Sequence, residues 1–165
     1  EQEGVEVVFG IPGGASMPIY DPLVDRSPIR HVLCRHEQGA GHAAEGYAWA
    51  TGKVGVCMAT SGPGATNLLT GVVDAYLDRA PLVAITGQVS MNRRHKESHQ
   101  YIDVISMFKP VTKWNTSIPK AEVIPETVRK AFKIAQTEKP GSTHLELPED
   151  VSEEQIGEEL SLIHI

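Results

Sequence analysis

Short apolar runs alternate along this chain with segments of helical periodicity, and this alternation limits the fold more than any other feature. The runs are short and mostly rich in β-branched residues, as buried strands are. They are VEVVFG (5–10), RHVLC (30–34), VGVCMAT (54–60), PLVAITG (81–87), PVTKWNTSI (110–118) and STHLELP (142–148). Strands separated by helices form mostly parallel sheets with right-handed crossovers. The sequence therefore predicts an α/β fold, a doubly wound, mostly parallel sheet flanked by helices.

The segments between these runs differ in character. Helical spacing of apolar residues predicts helices over 16–25, 37–51, 64–78 and 124–136. Residues 88–108 instead predict a long polar loop or a short irregular helix. Loops of this length inside a compact domain are usually functional or mobile.

Composition excludes several classes of partner. The chain has 165 residues, the size of one domain, and a formal net charge of −6, which disfavours contact with nucleic acid. No run reaches the ~18 apolar residues of a membrane span, so we expect no membrane contact. Cys34 and Cys57 lie in apolar runs without a C-x-x-C motif, which predicts free thiols in a reducing cytoplasm.

The two ends of the chain suggest a fragment. It opens on Glu1 rather than on Met, and it closes on LSLIHI after an acidic stretch. LSLIHI resembles the translation of a sequencing adapter. We expect residues 1–152 to form the domain, 153–159 to begin a linker, and the last six residues to be non-native.

Glycine-rich turns follow three of the predicted strands: GIPGGAS, TSGPGATN and TGQV. Parallel strands place these turns at one edge of the sheet, where ligands of such folds bind. SGPGATN nearly matches the dinucleotide motif G-x-G-x-x-G, but the next strand does not end in the acid that this motif requires. The turns therefore indicate a ligand site without a strong case for a dinucleotide.

Glu37 lies where an apolar run gives way to a helix, beside these turns. An acid in the first turn of a helix is favoured by the helix dipole alone. A carboxyl group half buried by Ala40, Ala43 and Ala44 could also give or take a proton. The residues by themselves leave both interpretations open.

Four linked motifs closely resemble the N-terminal, pyrimidine-binding domain of thiamine-diphosphate-dependent enzymes, and most closely acetolactate synthases. They are FGIPGGASMPIYDPL, RHEQGAGHAAEGYA, TSGPGATNLLTGVVDA and PLVAITGQV, and the likeness runs from about residue 4 to 151. The resemblance implies a thiamine-diphosphate cofactor and the decarboxylative condensation of two pyruvates to 2-acetolactate. It also implies that Mg²⁺ is bound by a C-terminal domain with a Gly-Asp-Gly motif, and that motif does not occur here.

The resemblance assigns roles to individual residues. In the family, the glutamate equivalent to Glu37 hydrogen-bonds N1′ of the aminopyrimidine and so promotes deprotonation of the thiazolium C2. Gln100 matches a glutamine near the substrate. The cofactor-binding positions are Gly13, Gly14, Glu37, Pro63, Gly64, Asn67 and Gln88. Tight turns explain the glycines equally well, and Gln100 could be an ordinary loop amide.

Other features bear on metals, flavin and subunits. The seven histidines form neither H-x-x-x-H nor H-E-x-x-H, so we expect no metal ligands in this chain. His99, Ser90 and Lys139 depart from the residues usual in FAD-containing synthases, which puts FAD in doubt.

Family sites are shared between subunits, so the resemblance implies a homodimer or homotetramer and an inactive isolated fragment.

Alternative functions stay open at this point. One is another thiamine-diphosphate enzyme: an oxo-acid decarboxylase, a sulfoacetaldehyde acetyltransferase or an enzyme like glyoxylate carboligase, although the carboligase lacks a glutamate at the position of Glu37. The other is a non-catalytic nucleotide-binding domain, which has no need of an acid there. The sequence does not separate biosynthetic from catabolic synthases.

Overall fold

The computed structural model describes residues 1–25, 27–94 and 96–155, so the predicted non-native tail and most of the predicted linker lie outside the described residues. The strands form one sheet in the order β2-β1-β3-β4-β6-β5, and every pair is parallel. Their bounds are β1 (Val7–Gly10), β2 (Arg30–Leu33), β3 (Gly55–Ala59), β4 (Leu82–Gln88), β5 (Trp114–Ser117) and β6 (Ser142–Pro148). The predicted fold class is confirmed.

Six α-helices accompany these strands among the residues that the structure describes. They are α1 (Met17–Asp25), α2 (Glu37–Thr51), α3 (Pro63–Leu77), α4 (Val104–Phe108), α5 (Ile124–Gln136) and α6 (Glu149–Glu153). Both ends of α2 match the prediction. Gly52 ends the helix with φ 72°, and its N–H donates a hydrogen bond to Ala48 O. Both ends of α5 match as well, with Pro125 in its first turn.

Three regions differ from the prediction in detail. Residues 88–108 hold two short helices, a 3₁₀ turn at Met91–Arg93 and α4. Strand β5 begins only at Trp114, because Pro110 lies in a 3₁₀ turn that precedes it. Helix α6 was not predicted, and its Val151 is buried against Ile118 and Leu147.

The helices cover both faces of the sheet, as a doubly wound fold requires. Alternate residues of a strand point to opposite faces. Cys57 and Ala59 of β3 pack in a cluster with α2, α3 and α4, whereas Val56 and Met58 pack in a second cluster with α1 and α5. No helix in the described part of the chain is long and apolar enough to cross a bilayer.

The strand order creates a crevice beside β1. The chain passes from β1 to the edge strand β2, and then returns to the other side of β1 to form β3. Ligands of open α/β sheets bind where the strand order reverses in this way, beyond the carboxyl ends of the strands. The loops after β1 and β3 meet at this reversal.

Helices α2 and α3 cross at a pair of glycines. A Cβ atom added to Gly71 would lie 2.7 Å from Gly41 Cα, and one added to Gly41 would lie 2.8 Å from Gly71 Cα. Both obstacles are backbone atoms, so neither side can yield by rotating a side chain. The two helices can approach this closely only because both positions lack a side chain.

We therefore expect Gly71→Ala to lower the free energy of unfolding by about 1–3 kcal/mol, because the added methyl group must push the two backbones apart. Urea unfolding of this chain, followed by circular dichroism, measures the change. Gly46→Ala is the matched control, since a Cβ atom there meets nothing within 4 Å. The control should gain about 0.5–1 kcal/mol from helix propensity. An equal gain in Gly71→Ala would contradict the tight crossing.

His144 of β6 is a buried titratable group between sheet and helix. Its ring stacks on Phe108 with 4.0 Å between ring centroids, and its Nε2 lies 2.9 Å from the hydroxyl of Thr86. Full burial lowers the pKa of His144 to about 3. The folded protein therefore holds this imidazole neutral at pH values where the unfolded chain protonates it.

The neutral His144 imidazole contributes its full stabilisation above the pKa that this histidine has in the unfolded chain, near 6.5. This stabilisation is lost as the pH falls towards 3. Between pH 7 and pH 5 we expect the free energy of unfolding to drop by up to about 2 kcal/mol more in the natural chain than in His144→Gln. Urea unfolding of both proteins at the two pH values checks this. Parallel pH profiles would show that His144 does not titrate in this range on unfolding.

Candidate active site

The loop after β1 lies against the end of β3. A Cβ atom on Gly13 would come within 2.6 Å of the Thr60 side chain, so a larger residue would separate the two loops. The Ser16 hydroxyl fixes the shape of the loop, because it accepts a hydrogen bond from Gly13 N–H at 3.1 Å and donates one to Gly13 O at 3.0 Å. Two of the predicted glycine turns are therefore in contact.

Glu37 is the first residue of α2 and is half buried. The preceding His36 caps the helix, and its Nδ1 accepts a hydrogen bond from Gln38 N–H at 3.1 Å. The His36 ring thus serves the backbone. The sequence placed Glu37 at the carboxyl edge of the sheet, and the structure places it there, beside α3.

Asn67 of α3 holds the Glu37 carboxylate. Asn67 Nδ2 donates a hydrogen bond to Glu37 Oε2 at 3.0 Å. The other oxygen, Oε1, lies beside Gly64, where an added Cβ atom would be 3.5 Å from it. Three residues from separate predicted motifs, Glu37, Gly64 and Asn67, therefore form one cluster.

The glycine crossing of α2 and α3 explains this contact. Gly41 follows Glu37 by four residues, and Gly71 follows Asn67 by four, so each pair shares a helix face. The faces that bring the two glycines together thus bring Glu37 and Asn67 together one turn earlier. The carboxylate is placed by backbone packing and fixed by the amide.

Thr60 is a site residue that sequence reasoning missed. Its side chain lies between Gly13 and Gly64, where added Cβ atoms would approach it to 2.6 Å and 2.8 Å. Within the described residues, its buried Oγ1 has no hydrogen-bond partner. In the sequence, only its position directly after β3 and before SGPG could have indicated that Thr60 lies at the site. A buried hydroxyl between two glycines offers a ligand both a donor and an acceptor.

Gln100 reaches the same group of loops through its backbone. A Cβ atom on Gly62 would lie 2.3 Å from Gln100 O, and Gly62 itself has φ 52°. Gln100 has φ 60°, and Tyr101 N–H closes the turn around it by bonding to Ser98 O at 3.1 Å. The Gln100 side chain is exposed. Positive φ at a residue other than glycine is strained and is often found at functional sites.

The remaining predicted positions have different surroundings. The Gln88 amide is buried and bonded inside the protein: Nε2 donates to Ile102 O at 3.1 Å and to Glu146 Oε2 at 2.9 Å. Gly14 and Pro63 are exposed, and a Cβ atom on Gly14 would meet nothing within 4 Å. Gln88 thus contributes to the structure of the sheet edge, whereas Gly14 and Pro63 border open space.

Three titratable side chains of α2 and α3 form a further cluster that the sequence did not predict. His42 Nδ1 lies 3.2 Å from Asp74 Oδ2 and 3.6 Å from Glu45 Oε2. Burial raises the pKa of Glu45, and the nearby Asp74 raises it further. Exposed acidic groups often gather without an ion, and we assign no metal to this group.

The cluster suits a flat, nitrogen-containing ring. Glycines leave room for the face of a ring, a carboxylate can share a proton with a ring nitrogen, and the Thr60 hydroxyl can bond to a polar edge. Two observations support this fit. Among the described residues the buried Thr60 hydroxyl has no hydrogen-bond partner. Glycine at position 64 leaves free the space beside the Glu37 carboxylate that a Cβ atom would fill.

Comparisons with known proteins agree with this chemistry. Residues 1–107 match the family described as thiamine pyrophosphate enzyme, N-terminal TPP binding domain. The chain is 53% identical over 156 residues to the "Probable acetolactate synthase large subunit" of Methanocaldococcus jannaschii, covering 94% of this chain and 26% of that protein. It is 52% identical over 155 residues to the acetolactate synthase of Mycobacterium bovis, with 94% and 25% covered.

A third relative is the acetolactate synthase large subunit of Lactococcus lactis, which is 48% identical over 155 residues, with 94% of this chain and 27% of that protein covered. The chain thus spans about a quarter of the length of the curated relatives it matches. The family match extends over more than half of the chain and includes Glu37, Gly64 and Asn67. This chain belongs to the thiamine pyrophosphate enzyme family, as its N-terminal TPP-binding domain.

Proposed function

We propose that this chain is the pyrimidine-binding part of an acetolactate synthase, which joins two pyruvates to 2-acetolactate with loss of carbon dioxide. The observation that carries the proposal is the half-buried Glu37 carboxylate, bonded to Asn67 and lying beside Gly64. The names of the relatives support the choice of reaction.

Thiamine diphosphate, when bound, supplies a carbon nucleophile and accepts the electrons released by decarboxylation. Glu37 hydrogen-bonds the N1′ nitrogen of the pyrimidine and shares a proton with it. Asn67 keeps the carboxylate in place by bonding to Oε2, which leaves Oε1 for the ring. Gly13 and Gly64 leave space for the ring, and Thr60 offers its hydroxyl to a polar ring atom.

We further propose that the diphosphate and its Mg²⁺ are bound outside this chain. Magnesium sites combine carboxylate oxygens with phosphate and water, whereas the single carboxylate of this cluster, Glu37, is committed to Asn67 and the ring. A second subunit, in a homodimer or homotetramer, would complete each site. The free thiols of Cys34 and Cys57 support a reducing, cytoplasmic location.

In the full-length protein we expect Glu37→Gln to reduce the rate of acetolactate formation by roughly 10²–10⁴-fold, the usual contribution of a positioned proton-transfer group. An amide of the same size keeps the packing but cannot share the proton. A colorimetric acetolactate assay measures the loss. Glu45→Gln is the matched control, because it makes the same change on the same helix and faces His42 instead. Near-normal turnover of Glu37→Gln would overturn the proposal.

Gln100→Gly tests the substrate contact separately. Glycine accepts φ 60° freely, so the turn is kept and only the amide is lost. We expect the KM for pyruvate to rise about tenfold, as loss of one good hydrogen bond would produce. The concentration of thiamine diphosphate for half-activation should not change. An unchanged pyruvate KM would remove Gln100 from the site.

A further inference from the structure

Glu146 is a buried carboxylate at the carboxyl end of β6, outside the Glu37 cluster, and the proposed reaction gives it no role. Its side chain is 3% exposed. Gln88 Nε2 donates to Oε2 at 2.9 Å, and an Arg94 guanidinium nitrogen donates to Oε1 at 2.6 Å. A buried charge is costly unless it is paired and hydrogen-bonded, and here both oxygens have partners.

The partners of Glu146 hold the described part of the segment between β4 and α4, residues 89–94 and 96–103, at several points. Gln88 precedes this segment and also donates to Ile102 O at 3.1 Å, near its end. Arg94, within the segment, also donates to Ser117 Oγ at 2.7 Å. One carboxylate therefore links the start of the segment, its interior and, through Gln88, its end.

This segment borders open space. A cavity of about 410 Å³ lies beside the ion pair, and Arg94, Tyr101, Asn115 and Glu146 are among the residues that line it. A segment next to a cavity can shift into it when its polar attachments are lost. The hydrogen bonds of Glu146 restrain the segment beside the cavity, and the Asp150 carboxylate, which accepts from Met91 N–H, restrains its start.

The same segment carries Gln100 at its strained turn. The turn from Ser98 to Tyr101 places Gln100 at φ 60°, and Gln100 O packs against Gly62 at the start of α3. Strained backbone persists only where the surrounding structure holds it. The attachments through Gln88 and Arg94 flank this turn on both sides.

We propose that Glu146 is a positioning residue for substrate binding: its hydrogen bonds to Gln88 and Arg94 hold residues 89–94 and 96–103 so that Gln100 stays against Gly62. The inference rests on the proposed function, since it takes Gln100 as a substrate contact. Glu146 touches neither substrate nor cofactor and acts only through the segment.

The test is a double-mutant cycle in the full-length protein with Glu146→Gln, Gln100→Gly and the double variant. Glutamine has the size of glutamate but cannot form the ion pair with Arg94. We expect Glu146→Gln to raise the pyruvate KM by at most about tenfold, the effect of losing the Gln100 amide itself, because Glu146 acts only through the segment that carries Gln100. Half-activation by thiamine diphosphate should not change. The pyruvate KM of the double variant should not exceed the higher KM of the two single variants.

Three results would overturn the inference. The first is an unchanged pyruvate KM in Glu146→Gln. The second is a double variant whose KM shows the product of the two single effects, since Glu146 would then act independently of Gln100. The third is a parallel change in the thiamine-diphosphate requirement, which would indicate a general loss of structure. Glu45→Gln, another buried carboxylate, should leave the pyruvate KM unchanged.

Hydrogen exchange separates failure of this inference from failure of the proposed function. The Tyr101 amide is bonded to Ser98 O, and Glu146→Gln should speed its exchange whether or not the protein makes acetolactate. Unchanged exchange would overturn the inference, whereas absence of acetolactate formation by the natural protein would overturn only the function. If Glu146→Gln does not fold, Arg94→Met removes the same ion pair from a side chain that is 19% exposed and must give the same shifts.

Discussion

The close approach of α2 to α3 at Gly41 and Gly71 is the contact on which the candidate site depends. The glycine pair sets the distance between the helices, and helical repetition then places Glu37 opposite Asn67 one turn towards the sheet edge. A hydrogen bond of 3.0 Å forms there. The geometry of the candidate site is therefore a consequence of backbone packing in the core.

The site combines two kinds of support. Glu37 and Asn67 stand on long helices anchored in the core cluster that includes Ala44, Leu68 and Val72. Gln100 stands on a segment tied down by polar contacts around Glu146. Rigid elements suit the role proposed for Glu37, since a group that shares a proton with a ring needs the same geometry in every turnover. The proposed substrate contact of Gln100 depends instead on hydrogen bonds that hold a strained turn in place.

Sequence patterns predicted much of the fold because its strands and two of its helices have local causes. β-Branched runs mark the strands, and Gly52 and Pro125 mark the ends of α2 and α5. The prediction missed α6, whose one buried residue, Val151, binds it to β6 and the end of β5 through Leu147 and Ile118. The contact of Val151 with Ile118 joins residues distant in sequence, and local composition does not predict it.

The sequence by itself determined the fold class, the edge at which the glycine turns gather and the presence of an acid there. It also carried the family resemblance, which the comparisons confirmed. Only the tertiary structure decided which residues meet: Asn67 with Glu37, Thr60 between two glycines, and Glu146 with both Gln88 and Arg94. The physical reason is that strand and helix propensities act over a few residues, whereas each of these contacts depends on how separate elements pack across the sheet.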